Sequence, residues 1–352
     1  MRWAFVNRTV GETFPGNGLF SVVRKDHVRL PGGLLWSKSL GWAPWRIASN
    51  GAVTIGVGPP EEQDGRTYNN HVVKRTGGGE WEDFSVPDGA FSDVCYDNGT
   101  FYMCGDVGGL AVASSNDGGI NWSTVRVATI DPGIFDPCRI AAGGGSIAAT
   151  GTTSVNAPFG IYIKPQLYVK TDSWRDESSF TLPVPGAMIS YRDICFANGK
   201  FVVVGRWSGP SDKGVIRTSA DGGTTWTNVS VSDFFMESVT YGEFDGVGRF
   251  YAGGSESFTY PHVTGGSAVF SSVDGVTWDK IESVDSGRVL SSVRFAQGRL
   301  VGGGKGPVTA SYDGVSWAYG PALGDETKWL EGELVYAPTP MDGWRIGKIG
   351  LG

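Results

Sequence analysis

The sequence predicts an all-β protein, a seven-bladed β-propeller of four-stranded antiparallel blades, and three observations carry that expectation. A short turn ending in tryptophan recurs four times, and an alternating hairpin that rises to glycine recurs upstream of it. Glycine supplies 55 of 352 residues, about twice the usual ~7 % share. The same composition excludes other classes. Glycine follows no G-X-Y period, so a collagen is ruled out, and 40 % hydrophobic with 12 % aromatic residues is too apolar for a disordered chain. No uninterrupted apolar run reaches the roughly 18 residues of a membrane span. A net charge of −7 argues against general nucleic-acid binding, because phosphate contacts need clustered Lys and Arg.

Residues 1–19 read as an N-terminal strand or arm, ahead of a single propeller domain over 20–352. FSVVRKDHVRLPGGLLW (20–36) reads as an outer hairpin ending in tryptophan. Six blades then close in order. The first pairs RIASNGAVTIGVG (46–58) with RTGGGEW (75–81), and the second DVCYDNGTFYMCG (93–105) with SNDGGINW (115–122). The third pairs RIAAGGGSIAATG (139–151) with KTDSW (170–174), and the fourth DICFANGKFVVVG (193–205) with SADGGTTW (219–226). The fifth pairs SVTYGEFDGVGRFYAGG (238–254) with SVDGVTW (272–278), and the sixth SVRFAQGRLVGGG (292–304) with SYDGVSW (311–317). The Asn-Gly pairs at Asn98 and Asn198 are hairpin signals, since a type I′ turn needs positive φ twice. ELVYAPTPMDGWRIGKIG (333–350) reads as an inner hairpin without an outer one. Joined to the N-terminal outer hairpin it makes a seventh blade and removes exposed sheet edges. Six blades with a separate N-terminal segment is the alternative. No helix of consequence is expected.

The four best turns run from Ser115 through Asp117 to Trp122, Ser219 through Asp221 to Trp226, Ser272 through Asp274 to Trp278, and Ser311 through Asp313 to Trp317. They resemble the Asp-box, S-x-D-x-G-x-T-W, of the BNR-repeat, sialidase-like β-propellers. The second matches at every fixed position, the first has Asn121 for Thr, and the last two are one residue shorter. Their physics is structural. Asp accepts N–H groups within its own turn, Gly supplies positive φ, and the tryptophan packs between sheets.

Propeller topology puts the Asn-Gly and Asp-box turns on one face. Links between second and third strands lie on the other, and here they are long: 58–71, 151–166, 205–214 and 253–266. They read as loops and carry Tyr68, Phe159, Tyr162, Trp207, Phe258 and Tyr260, candidates for gripping a sugar or a partner side chain. Aligned first strands place Arg46, Asp93, Arg139, Asp193, Ser238, Ser292 and Glu333 at equivalent positions, with Arg192 adjacent. Such a ring reads either as a belt of interblade ion pairs or as a small-anion site using Arg46, Arg139 and Arg192.

Sialidases imply an arginine triad, a Tyr–Glu nucleophile pair, an acid Asp and an F-R-I-P-like motif. The nearest matches are Trp45-Arg46-Ile47-Ala48 and Cys138-Arg139-Ile140-Ala141, both without Phe and Pro. No Tyr and Glu can be paired from sequence. His27, His71 and His262 lack metal spacing, no G-x-S-x-G elbow occurs, and no catalytic residue, metal or cofactor is expected. Four cysteines at irregular spacing (Cys95, Cys104, Cys138, Cys195) read as free thiols, and MRWAFVNRTVGETF lacks the apolar core of a secretory signal. With compact boxes and aromatic loops, the chain resembles the propeller modules of bacteriophage tail and other virion proteins, made in the host cytoplasm. That implies a non-enzymatic interaction protein whose partners are other virion or tail proteins or a host-surface glycan or receptor. Nucleic acid and membrane insertion are not expected, and a homo-oligomer is a possible state. A sialidase-like glycoside hydrolase and an intracellular assembly factor are the alternatives.

Overall fold

The computed structural model describes residues 34–39, 46–63, 66–77, 82–84, 86, 90–106, 109–128, 138–157, 160–177, 188–208, 213–232, 234–256, 266–284, 289–296, 298–305, 307–311, 313–322, 326–330, 333–337 and 345–349. Among them no helix occurs, and the strands form seven four-stranded antiparallel sheets. The chain divides into two compact units, one of Pro44–Met236 and one of Met1–Ala43 with Glu237–Gly352. In chain order, β1 is Leu34–Ser39 and belongs to the second of these.

The Pro44–Met236 unit holds four consecutive sheets. The first comprises β2 (Arg46–Ser49), β3 (Val53–Gln63), β4 (Arg66–Thr76) and β5 (Glu82–Phe84). The second comprises β6 (Ala90–Asp97), β7 (Thr100–Asp106), β8 (Leu110–Ser115) and β9 (Ser123–Arg126). The third comprises β10 (Arg139–Gly143), β11 (Ser146–Ala157), β12 (Gly160–Lys170) and β13 (Trp174–Asp176). The fourth comprises β14 (Met188–Ala197), β15 (Lys200–Ser208), β16 (Lys213–Ser219) and β17 (Thr227–Ser232). Every sheet runs in simple sequence order.

β18 (Phe234–Phe244), whose first residues precede the boundary at Glu237, forms one sheet with β19 (Val247–Glu256), β20 (Ser267–Ser272) and β21 (Asp279–Val284) of the other unit. A second contains β22 (Val289–Ala296), β23 (Arg299–Lys305), β24 (Pro307–Ser311) and β25 (Trp317–Ala322). The last is built from β26 (Glu326–Leu330), β27 (Glu333–Ala337) and β28 (Arg345–Ile349), with β1 paired to β28. The chain's two ends therefore share one sheet, but in a different ratio from the sequence reading. Three strands come from the C-terminal end and one from the N-terminal end. The segment ETKWL pairs with ELVYA with Leu330 opposite Glu333, and β26 lies beside β22 and β23 as the first strand. Glu333 thus starts a second strand and is not equivalent to Arg46 and its counterparts. The rest of the expected N-terminal hairpin, and the arm at 1–19, lie outside the described residues.

Local turns follow the chemistry of their residues. Asn98 and Gly99 take φ of 42° and 86°, and Asn198 and Gly199 take 49° and 71°, as a type I′ turn requires. In each Ser-x-Asp turn the carboxylate organises its own backbone. Asp221 Oδ1 accepts the N–H groups of Thr224 at 3.0 Å and Thr225 at 2.9 Å, and the Ser219 hydroxyl at 2.8 Å. The Thr225 hydroxyl donates to Oδ2 at 2.6 Å, and Trp226 Nε1 donates to the Gly223 carbonyl at 3.1 Å. Asn121, the departure from the pattern, fills the hydroxyl's place by donating from Nδ2 to Asp117 Oδ2 at 2.7 Å. Asp274 and Asp313 repeat the arrangement.

Three of the tryptophans that end these turns help to fill the gaps between sheets. Trp122 packs where Ile55, Val57 and Val72 of the first sheet meet Phe91, Phe101 and Met103 of the second. Trp226 does so where Leu167 and Val169 meet Tyr191 and Phe201, and Trp317 where Tyr251 and Val269 meet Leu290 and Leu300. Stability thus comes from apolar faces stacked sheet on sheet.

These bonds hold the exposed aspartates ionised. The Thr225 hydroxyl and N–H hold the Asp221 carboxyl down at about 2, and the Thr277 and Val276 N–H groups hold Asp274 at about 2. A carboxyl depressed in the folded state contributes stability above its unfolded pKa and loses it as pH falls through the folded value. Unfolding in acid should therefore set in between about pH 4 and 2. Asp221→Ala is expected to cost about 1–2 kcal/mol, like the loss of a cap. Urea unfolding of the variant at neutral pH measures it, and a shift below about 0.5 kcal/mol would remove the turn from the stability account.

Candidate functional site

Two places in the Pro44–Met236 unit carry the residues that the sequence singles out: the first strands around their bulges, and the strand 2–3 hairpins. The first is built on a repeated irregularity. The register of β6 against β7 slips between Phe91 and Asp93, and that of β14 against β15 between Tyr191 and Asp193. The sheet β22–β25 repeats it between Leu290 and Ser292. A bulge of this kind bends the strand and re-aims the next side chain. Opposite each of the first two bulges stands a glycine, Gly105 facing Phe91 and Gly205 facing Tyr191.

The re-aimed residues clip neighbouring sheets together. Asp93 Oδ2 accepts the Ile140 N–H of the next sheet at 2.9 Å, while Ser92 in the bulge donates to the Cys138 carbonyl at 3.0 Å. Ser238 accepts the Val293 N–H at 2.7 Å in the same relation. Arg46 joins carboxylates of two other sheets, with Nη2 3.0 Å from Asp193 Oδ1 and Nε 3.7 Å from Asp93 Oδ1. The three side chains are only 15 %, 8 % and 3 % exposed for Arg46, Asp93 and Asp193. Burial pushes the Asp93 carboxyl up, against the pull of Arg46 and Arg139. Arg139 donates from Nη1 to the adjacent Cys138 carbonyl at 2.9 Å, and burial and the Arg46 charge lower its pKa. Arg192 occupies the bulge before Asp193, its Nε buried. The structure brings Arg46, Asp93, Arg139 and Asp193 together as a buried belt between sheets. The alignment of first strands singled out these four residues, but it gave no sign of the Ile140 N–H that Asp93 accepts.

The second place differs from the sequence reading in kind. Residues 58–71 and 151–166 were expected as loops, and most of each is strand. β3 and β4 run eleven residues each, against four in β2, and β11 and β12 run twelve and eleven, against five in β10. Pro59 and Pro60 suggested a loop, but slips in register around Pro60 absorb them at the hairpin. Tyr68 lies on β4 opposite Glu61, and Tyr162 on β12 opposite Val155. Phe159, Phe258 and Tyr260 lie outside the described residues.

Trp207 is likewise a strand residue, on β15 between Ile189 and Lys213. Its half-buried ring packs against the core of Ile189 and Tyr191, with Lys213 Nζ 5.4 Å from the centroid. The polar Ser208-Gly209-Pro210 that follows made it look like a loop. Trp207→Ala is accordingly expected to lower stability by about 2–3 kcal/mol, by lost burial and a residual cavity. Thermal unfolding measures it, and an unchanged midpoint would return the ring to the surface.

The hydroxyl of Tyr191, 1 % exposed, accepts from Arg217 Nη1 at 3.0 Å, so it is committed to the core and not poised as a nucleophile. The four cysteines are free, and burial pushes the thiols of Cys95, Cys104 and Cys195 well above their ordinary range. Among the described residues no cluster of His, Cys, Asp and Glu could hold a metal, and no helix is long and apolar enough to cross a membrane.

No protein-family model matches the sequence, and no curated protein matches it. Solved structures do. The structure of YCF48 bound to D1 peptide is 16 % identical with a TM-score of 0.52, over 90 % of this chain and 95 % of that one. A Trypanosoma rangeli sialidase in complex with 2,3-difluorosialic acid is 12 % identical with a TM-score of 0.51, over 90 % of this chain. The match spans 59 % of the sialidase. A prolyl endopeptidase is 11 % identical with a TM-score of 0.50, over 82 % of this chain and 44 % of that one. At such identities the likeness is one of fold. The chain has a β-propeller fold of four-stranded antiparallel sheets.

Proposed function

We propose that the chain is a non-enzymatic interaction module of a bacteriophage tail or virion, bound to a host-surface glycan or receptor. In this reading the recurring turns are Asp-boxes, and the seven sheets are blades of one ring closed by β1 on β26–β28. The observation that carries the proposal is the length of the hairpins β3–β4 and β11–β12, whose strands of eleven or twelve residues stand against four in β2 and five in β10. Strands that pair beyond their sheet add little core. They do hold the backbone at Tyr68 and Tyr162 in ladder pairing, which lowers the entropic cost of binding there. A commitment of Arg46, Asp93 and Tyr191 to bonds within the fold fits a scaffold better than a hydrolase.

The test shortens both hairpins, replacing residues 59–70 and 152–165 each by Asn-Gly, and measures binding to host cells and to isolated surface polysaccharide. The folded, shortened chain should bind at least about tenfold more weakly than the parent. Equal binding would refute the hairpins as the working surface. Sugar released by the parent chain in a screen of sialosides and polysaccharides would replace the module reading by the hydrolase one.

A further inference from the structure

The outer strand of each sheet leaves one row of backbone N–H and C=O groups unpaired within that sheet, and such edges invite another strand unless they are protected. Among the described residues, six of the seven outer strands are protected. β5 (EDF) and β13 (WRD) have three residues each and carry charge, and the four-residue β9 ends in Arg126. β21 carries Asp279, Lys280 and Glu282 and a register slip; β25 carries Pro321 and a slip; β1 carries Lys38 and a slip. β17 is the exception. Thr227-Asn228-Val229-Ser230-Val231-Ser232 holds no charge and no proline, and all six residues pair with β16 without interruption.

We infer that β17 is a homodimer interface, at which two copies of this chain pair antiparallel through their β17 edges into one eight-stranded sheet. The sequence of the strand favours a second copy over a foreign one. Val229-Ser230-Val231 reads the same in both directions. A two-fold axis perpendicular to the sheet at Ser230 therefore sets Val229 opposite Val231, Asn228 opposite Ser232, and Ser230 opposite itself. Valine meets valine on one face and small polar residues meet on the other, as favourable cross-strand pairs require. Val229 and Val231 are half-buried, and Thr227, Asn228 and Ser230 are exposed. Two chains each of net charge −7 meet here along a strand that adds no like-charge contact. Nothing in this pairing depends on the glycan- or receptor-binding reading.

Sedimentation equilibrium over a concentration series tests it. The parent chain should rise to twice the chain mass. A folded Asn228→Lys/Ser230→Lys variant, with an unchanged melting midpoint, should raise the dimer dissociation constant by about tenfold or more. Ser230→Cys provides a test that does not rely on the lysines being tolerated. Residues facing each other across an antiparallel pair lie at about 4.5–5.5 Å between Cα atoms, within disulfide range. Mild oxidation should thus link that variant into a covalent dimer through its new thiol. A parent chain of single mass at every concentration would overturn the inference. So would a double-lysine variant that dimerises as tightly as the parent, or a Ser230→Cys chain that stays unlinked.

Discussion

Gly205→Ala is expected to be among the most damaging single substitutions in the chain, costing about 3 kcal/mol or more. A methyl group on Gly205 would run into the Ser190 carbonyl oxygen and stand 3.0 Å from Tyr191 Cα. These are backbone atoms at the β14 bulge, so no side-chain rotation relieves the clash. The bulge must open or the hairpin must separate, and either displaces Asp193 from Arg46. Gly105→Ala should act alike, because its Cβ would lie 2.5 Å from Phe91 Cα at the β6 bulge. Urea unfolding of both variants checks the expectation, with a loss of soluble protein counting as the strong form of it. A midpoint within about 0.5 kcal/mol of the parent would mean that the bulges are not closed against these glycines.

Arg46→Ala should cost about 3–5 kcal/mol, the range for breaking a buried ion pair from one side. The loss comes less from the missing attraction than from the Asp93 and Asp193 carboxylates, left 8 % and 3 % exposed with their guanidinium partner removed. The variant also has a distinctive pH dependence. Burial already raises the folded-state Asp93 carboxyl and Arg46 opposes it, so removing Arg46 raises it further. A carboxyl whose folded pKa exceeds its unfolded one favours the fold when protonated, and that stability is lost as pH rises through the folded value. The gap between variant and parent should therefore be widest at neutral pH and narrow as the solution is acidified. Denaturant midpoints at neutral and mildly acid pH read this directly, and a gap that stays constant would place Asp93 outside the cluster's electrostatics.

The turns were legible because their chemistry is local. Asn98-Gly99, Asn198-Gly199 and the four Ser-x-Asp turns need only a few successive residues to specify φ and the carboxylate's hydrogen bonds. Spacing between these turns then gave the strands, and a shared sheet for the two chain ends followed from strands left over at each. Contacts between distant residues were not legible. The bulges at Ser92 and Arg192 show no signal beyond a glycine in the facing strand. The bond from Asp93 to Ile140 spans 47 residues and depends on how two sheets stack. Prolines and glycines at 58–71 and 208–210 read as loop, yet long strands tolerate them at a hairpin or just past a strand end. Trp207 went astray for that reason, since its burial depends on β14 and not on its sequence neighbours. The first strand of the last sheet was missed because ETKWL carries charge at one end and lysine in the middle.

In the proposed function the Ser-x-Asp turns at Asp117 and Asp221 maintain the fold, and binding falls to the extended hairpins β3–β4 and β11–β12. Hydrogen–deuterium exchange of the chain, with and without host-surface polysaccharide, tests that division most directly. Slowed exchange confined to the ends of β3–β4 and β11–β12, with the turns at Asp117 and Asp221 unchanged, is the expected result. Slowed exchange at those turns, with the hairpins exchanging as in the free chain, would put the binding surface at the turns and contradict the account.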